Sequence, residues 1–163
     1  MTDKSTVEKL RTSHFFREIA DEQLQKLAEI CQEVDFPPRH TVFEEYEPAK
    51  EVYVILSGEI SLAICDSKKS CRQIASIRDG DLMGWSALVG RTRLYDTART
   101  VTPVKALEFD GSRLMQFCDS NPSFGFKFMQ RVACTLAERL SGTRLQLFEI
   151  GGVHLPEFQL ESD

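Results

Sequence analysis

Hydrophobic and polar residues alternate through the middle of the chain with the period of two that is typical of β-strands. The clearest case is residues 59–65, where isoleucine and leucine alternate with small or polar side chains, and the run at 52–56 is apolar on both faces. Further short strands are predicted at 41–43, 71–77 and 104–109. Strands at this spacing, separated by glycine-bearing and polar turns, predict a small antiparallel barrel or jelly roll.

Helices are predicted on both sides of these strands. Residues 5–33 carry helical apolar spacing, with Asp21 as the expected N-cap of a helix that continues to Glu33. After the strands, Asn121 followed by Pro122 is the strongest helix start in the chain, an N-cap before a proline. The predicted organisation is mainly β with flanking helices: one domain over residues 1–150, with its barrel at about 34–109 and a long helix at about 122–150, then a flexible tail over 151–163.

The predicted long helix carries a seven-residue repeat of apolar positions. Its members step by four and three residues: Met129, Ala133, Leu136, Leu140, Thr143, Leu147 and Ile150. A period of 3.5 residues sustained over about three heptads is the pattern of a two-helix seam. An amphipathic helix lying on its own domain is the alternative. The pattern favours a parallel homodimer through residues 126–150.

Gly80–Val101 combines a turn, small side chains and arginines in one segment. Small residues after Met83 let the backbone approach a ligand closely, and the first turn of a short helix there offers N–H groups to an anion. In the strand-like tract that follows, Asp96 shares a face with Ala98 and Thr100.

This segment resembles the phosphate-binding cassette of cyclic-nucleotide-binding domains, which reads roughly G-E-x-A-L, a short loop, then R-x-A-T/x-V. Phe43–Glu59 is similar to a second tract of that fold, F-x-E-G-x-P-A followed by Y-x-I-L-x-G-x. In order and spacing, the similarity covers roughly residues 10–150. The resemblance implies a jelly-roll fold, a regulatory or sensor role, and a cyclic nucleotide (cAMP or cGMP) as ligand.

Two chemical positions of the cassette depart from the family. Trp85 stands where the family has glutamate, and Leu94 stands at the arginine position, one residue after Arg93. One interpretation is a degenerate binding site in which backbone donors and Arg93 remain. The other is a pocket that Trp85 fills as core, which gives a non-binding scaffold that acts through its surface or tail, with a possible protein partner. Candidate ligand-binding residues are Gly84, Trp85, Ser86, Ala87, Arg93, Leu94, Thr97, Ala98 and, by resemblance to a base-contacting threonine, Thr143.

Composition narrows the classes of function. The three histidines are isolated and match no metal-binding or catalytic spacing, so no metal and no enzyme activity are predicted. The five cysteines are odd in number and without a C-x-x-C pair, which predicts reduced thiols in a cytoplasmic protein. No signal peptide or membrane-spanning stretch is apparent.

DNA binding is also predicted to be absent. Activators of the resembled family continue into a helix-turn-helix, which this sequence lacks, and a net charge of −5 is unsuited to a phosphate backbone. A gel mobility assay at physiological ionic strength is expected to show no shift. Retention of a duplex that weakens as salt increases would contradict this expectation.

Overall fold

The computed structural model describes residues 4–149. The helices are α1 (Lys4–Thr12), α2 (Asp21–Ala28), α3 (Gly111–Ser120) and α4 (Pro122–Glu149), with a short 3₁₀ helix at Trp85–Leu88. The strands are β1 (Cys31–Phe36), β2 (Thr41–Phe43), β3 (Glu51–Ser57), β4 (Ile60–Cys65), β5 (Cys71–Ile77), β6 (Leu82–Met83), β7 (Thr97–Thr100) and β8 (Val104–Asp110).

The strands form two four-stranded sheets that face each other. One has the order β1-β8-β3-β6 and the other β2-β7-β4-β5. All the pairings between these strands are antiparallel. The prediction of a mainly antiparallel jelly roll with flanking helices is confirmed, although the described strands form two sheets rather than one closed barrel.

β3 separates two apolar cores because its opposite faces are both buried. Val52 and Val54 face the helices and belong to a helix-side core, together with Phe16 and Phe128. The intervening residue Tyr53 faces the other sheet. The members of this inter-sheet core include Ile55, Ile60, Leu62, Leu94 and Ala98. The apolar run on both faces of β3 is therefore explained by a layer of helices on one side and a sheet on the other.

The amino-terminal prediction was wrong in its second half. α2 begins at Asp21, with Ala20 rather than Asp21 as its N-cap, and it ends at Ala28. Cys31–Phe36 is instead strand β1, which pairs with β8 along its whole length. Helical spacing up to Cys31 was overridden by these interstrand hydrogen bonds, because a tertiary partner outweighs local propensity.

The two carboxy-terminal helices begin at well-defined residues. The Asp110 carboxylate accepts a hydrogen bond of 2.9 Å from the backbone N–H of Arg113, which fixes the start of α3. α4 begins at Pro122, as predicted. The predicted tail, 151–163, lies outside the described residues.

Two cysteines depart from the expectation of free thiols. β4 and β5 form a hairpin whose register places Cys65 opposite Cys71, and the two form a disulfide. Cys31, Cys118 and Cys134 are free. The sequence contained the two positions, but only the strand register shows that they meet.

Candidate functional site

The Gly80–Val101 cassette is anchored at Gly84, where strand β6 turns into the 3₁₀ helix. Gly84 has a φ of 77°, and a Cβ there would lie 2.4 Å from the carbonyl oxygen of Glu51. Only glycine satisfies both the left-handed backbone and the close approach to β3. Further along, the carbonyl of Ser86 accepts hydrogen bonds from the N–H groups of Val89 and Arg91, at 3.4 and 3.1 Å, which closes the turn.

Substitution of Gly84 by alanine is expected to be strongly destabilising, by more than about 4 kcal/mol, because a backbone clash adds to an unfavourable φ. Gly80→Ala is the matched control, since Gly80 has a φ of 86° but no atom within 4 Å of the added Cβ. It should cost about 1–2 kcal/mol. Urea unfolding of both variants measures the difference. Equal losses would show that the contact with Glu51 is unimportant.

Trp85 lies on the helix side of the structure. Its half-buried indole packs against the helix-side core. It also stacks on Tyr95 at a centroid distance of 5.7 Å and an interplanar angle of 17°. The guanidinium of Arg91 lies over the ring of Tyr95, 5.6 Å from its centroid. Trp85 therefore does not occupy the inter-sheet core.

Of the candidate residues, Leu94 and Ala98 enter the inter-sheet core. Leu94 is 6% exposed and Ala98 is fully buried. The backbone of Leu94 is also fixed, since its N–H donates to Glu47 and its carbonyl accepts from Tyr46, both at 2.9 Å. A side chain at position 94 is thus surrounded by apolar groups.

The remaining candidates point elsewhere. Nη1 of Arg93 donates to the Tyr46 carbonyl at 2.8 Å, which draws the guanidinium onto the preceding loop. Ala87 lies against Gly111 at the start of α3. Thr143 donates within its own helix to the Arg139 carbonyl at 3.0 Å. The candidates therefore do not meet in one pocket: they are spread over the glycine turn, the helix-side core, the inter-sheet core, the outer side of the roll and α4.

Sequence reasoning missed the role of Arg139 in the site. From α4, its guanidinium donates to the Leu82 carbonyl, and its Nη1 is buried without a hydrogen-bond partner among residues 4–149. Burial lowers the pKa of Arg139, while Asp81 and Asp96 oppose that shift electrostatically. No local signal in the sequence shows that a residue of α4 reaches β6.

Asp96 was predicted to share a face of its strand with Ala98 and Thr100, and these two residues are buried. Burial raises the pKa of the Asp96 carboxyl above its usual value; Arg139 opposes the shift and Glu45 reinforces it. The carboxylate therefore lies beside the part of α4 that covers the roll.

A groove of about 890 Å³ runs along the face of the β2-β7-β4-β5 sheet that points away from the inter-sheet core. Its floor is formed by residues of β4 and β7 that alternate with core-facing ones. They include Ser61, Ala63, Cys65, Thr97 and Arg99. Thr97 accepts a hydrogen bond of 3.1 Å from the N–H of Glu45. We call this surface the outer groove.

The described residues contain no group of three or more histidine, cysteine or acidic side chains that could bind a metal ion. Within the same part of the chain, no helix is both long and apolar enough to cross a membrane.

Two facing antiparallel sheets, a covering helix and a glycine-anchored turn define a jelly-roll domain. The model of the cyclic nucleotide-binding domain matches residues 33–121, which is more than half of the chain. The protein belongs to the cyclic nucleotide-binding domain family.

Relatives and solved structures agree with this assignment. A CRP-like cAMP-activated global transcriptional regulator of Mycobacterium tuberculosis (strain CDC 1551 / Oshkosh) is 27% identical over 149 residues, covering 86% of this chain. The chain spans 61% of the length of that curated relative. A structure from Geobacter metallireducens GS-15, described as a cyclic nucleotide-binding protein, has 30% identity and a TM-score of 0.72, covering 83% of this chain and 98% of its own.

The sensor domain of the transcriptional regulator DNR from Pseudomonas aeruginosa shares the fold. It has 17% identity and a TM-score of 0.69, covering 91% of this chain and 95% of its own. Relatives that are regulators or sensor domains point away from catalysis.

Proposed function

We propose that this protein is a regulatory or sensor module whose cassette binds cyclic nucleotides only weakly. A cyclic nucleotide presents one full negative charge on its phosphate and a ribose hydroxyl that needs an acceptor. In a low-dielectric pocket, both require a charged partner. The carrying observation is that the cassette has the required backbone but has no arginine on its inward face.

The arginine of the family motif can be aligned with two positions of this chain, and we call each alignment a frame. The first, one residue after Arg93, is Leu94, whose side chain lies in apolar core. The second places the alanine of R-x-A on the buried Ala98, and the arginine position then falls on Asp96. Neither frame supplies a cation, and the second supplies an anion.

Arg139 is a cation that interacts with position 96, and its charge is already shared. Asp81 and Asp96 both act on its guanidinium, so two carboxylates face one positive charge. The local excess of negative charge opposes a phosphate, even though Nη1 of Arg139 remains free to donate. Backbone N–H groups of the 3₁₀ turn are the other donors that remain.

Isothermal calorimetry with cAMP and cGMP tests the proposal. Each lost charged contact is worth roughly 1.5–3 kcal/mol, and two such losses weaken binding by about 10²–10⁴-fold. Starting from a micromolar reference site, the expected dissociation constants lie in the high micromolar to millimolar range. A submicromolar constant for either nucleotide would overturn the proposal.

The second candidate function is a scaffold that acts through α4 and binds no ligand. The observation that favours it is that the chain supplies its own carboxylate, Asp96, beside Arg139. An absence of binding heat at millimolar nucleotide, together with a protein captured by the wild-type chain and lost on change of exposed α4 residues, would select the scaffold.

We further propose a parallel homodimer through residues 126–150. One heptad position is exposed in each repeat of the single chain. We call its members, Phe126, Ala133, Leu140 and Leu147, the exposed row. The other seam position lies nearer the domain, where Met129 and Leu136 pack on the helix-side core. A second copy of α4 would cover the exposed row. The exposed row lies on the same helix that covers the roll. Dimerisation would therefore connect the partner subunit to the pocket through α4.

A further inference from the structure

A disulfide lies in the lining of the outer groove. Cys65 is the last residue of β4 and Cys71 the first residue of β5, so the bond joins the two strands at the loop end of the hairpin, across a Cα–Cα distance of 4.0 Å. Both residues line the groove. The disulfide is therefore part of a solvent-accessible surface.

The hairpin does not depend on this bond for its shape. The Asp66 carboxylate accepts hydrogen bonds from the N–H groups of Lys68 and Ser70, each at 2.9 Å. The backbone N–H of Asp66 donates to the Ser70 carbonyl at 3.0 Å, and Lys69 N–H donates to the Asp66 carbonyl at 2.9 Å. A crosslink that closes so short a loop restricts the unfolded chain less than one that closes a long loop. A purely stabilising role would leave this placement unexplained.

The two sulfur atoms differ in accessibility. Cys71 is exposed and Cys65 is half-buried, and β5 is the last strand in the sheet order β2-β7-β4-β5. An incoming thiolate therefore has an open route to the Cys71 sulfur.

The free cysteines are less suited to exchange. Cys31 is half-buried, and Cys118 is buried. Burial raises the pKa of Cys31 to about 12 and that of Cys118 to about 11, so few thiolates form at neutral pH. Cys134 is exposed on α4 and serves below as the control.

We propose that Cys65–Cys71 is a reversible redox site that exchanges with an external thiol. A thiolate attacks the Cys71 sulfur, the S–S bond breaks, and its electron pair leaves on the Cys65 sulfur, which takes up a proton. A second thiol, from the same dithiol or from another molecule, then attacks the mixed disulfide and releases Cys71 as a thiolate that is protonated in turn. In total, two electrons and two protons pass to the protein, and the external thiols become a disulfide.

The groove would respond to this change. The Cys65 sulfur lies 3.9 Å from Oγ1 of Thr97, and the Cys65 N–H donates to Oε1 of Glu45 at 3.3 Å. Glu45 N–H in turn donates to Thr97. The redox state thus acts on a set of contacts that joins β4, the loop after β2 and the end of the cassette. After reduction, the Asp66 turn keeps the two thiols opposite each other, which favours re-formation.

The test uses the folded wild-type protein with two thiol sources in separate arms. One arm is glutathione, and the other is a thioredoxin-type dithiol protein whose resolving cysteine is changed to serine. Both are expected to give a mixed disulfide at Cys71, mapped by peptide mass spectrometry. The arm that reacts at the lower thiol concentration identifies the source.

Counting alkylated thiols supplies the second measurement. Denatured without reductant, the oxidised protein should show three reactive cysteines; after native reduction it should show five. Removal of the reductant under air should restore three. Cys134→Ser should lower each count by one and leave the change of two intact. A count of five in untreated protein, a bond that yields only after unfolding, or a mixed disulfide at Cys65 alone would each overturn the proposal.

Discussion

Changing Leu140 and Leu147 to glutamate is expected to convert the proposed dimer into monomers. Both leucines belong to the exposed row of α4, with 59% and 45% of their surfaces accessible in the single chain. Their side chains touch little of their own domain, so the change should not unfold the protein. In the proposed dimer they would be buried against the partner helix, where four carboxylates cannot be accommodated without partners.

The expected effect is large. Burial of a leucine side chain contributes about 1.5–3 kcal/mol, and four are lost per dimer. The dissociation constant should rise by at least about 10⁴-fold, at 1.4 kcal/mol for each factor of ten. Light scattering over a concentration series measures the change. Leu136 is avoided, because it packs on the helix-side core and its loss would mix folding with association.

Leu145→Glu is the matched control. Leu145 is 67% exposed on the same helix, but it lies five residues after Leu140 and thus about 140° around the helix from the seam. This variant should remain dimeric. A dimer in the double variant, or a monomer in the control alone, would move the interface to another surface.

The sequence predicted the elements that carry their own local signals. β4 alternates with its apolar residues inward as far as Leu62, and α4 starts at Pro122, as the sequence predicted. The alternation ends at Ile64, which is exposed after a register shift between Leu62 and Ala63. β1 was missed because apolar spacing up to Cys31 continues the helical pattern, whereas its pairing with β8 depends on residues some seventy positions away. Local periodicity contains no information on such a partner.

The site was harder to predict than the fold, for a similar reason. Alternation in the cassette predicted that Asp96 shares a face with Ala98 and Thr100, both of which are buried in the structure. The position of Arg139 over β6 depends instead on how α4 crosses the sheet. The disulfide is a third case, because only the hairpin register brings its two cysteines opposite each other.

Restoring the charged partners of the cassette is expected to restore nucleotide binding. The double change Trp85→Glu and Asp96→Arg supplies a ribose acceptor and a phosphate cation, and it should improve affinity for cAMP by about 10²–10⁴-fold. The arginine should contribute the larger part, because it pairs a full charge bidentately. Without ligand, the new arginine faces Arg139, so nucleotide should also raise the melting temperature more than in wild type.

Trp85→Glu with Leu94→Arg is the comparison that separates the two frames. Leu94 is 6% exposed within apolar core, so a guanidinium there lacks partners and should destabilise the fold by several kcal/mol, on the order of 3–5. This variant is expected to bind no better than wild type and to unfold at lower urea concentration. Asp96→Asn, which removes the opposing carboxylate without adding a cation, keeps the test independent of large side chains and should improve affinity modestly, by roughly tenfold.

The measurement is calorimetry on each variant, after urea unfolding has established that it is folded. If nucleotide binding recovers with Trp85→Glu and Asp96→Arg but not with Trp85→Glu and Leu94→Arg, the arginine position of the family corresponds to residue 96. Charge would then be what limits binding at the wild-type site. Recovery in the Leu94→Arg variant alone would return the arginine position to 94, with a rearranged core around it. If folded Asp96→Arg and Asp96→Asn variants both bind as weakly as wild type, negative charge at the cassette is not the cause of weak binding. The scaffold function would then be the better account of this domain.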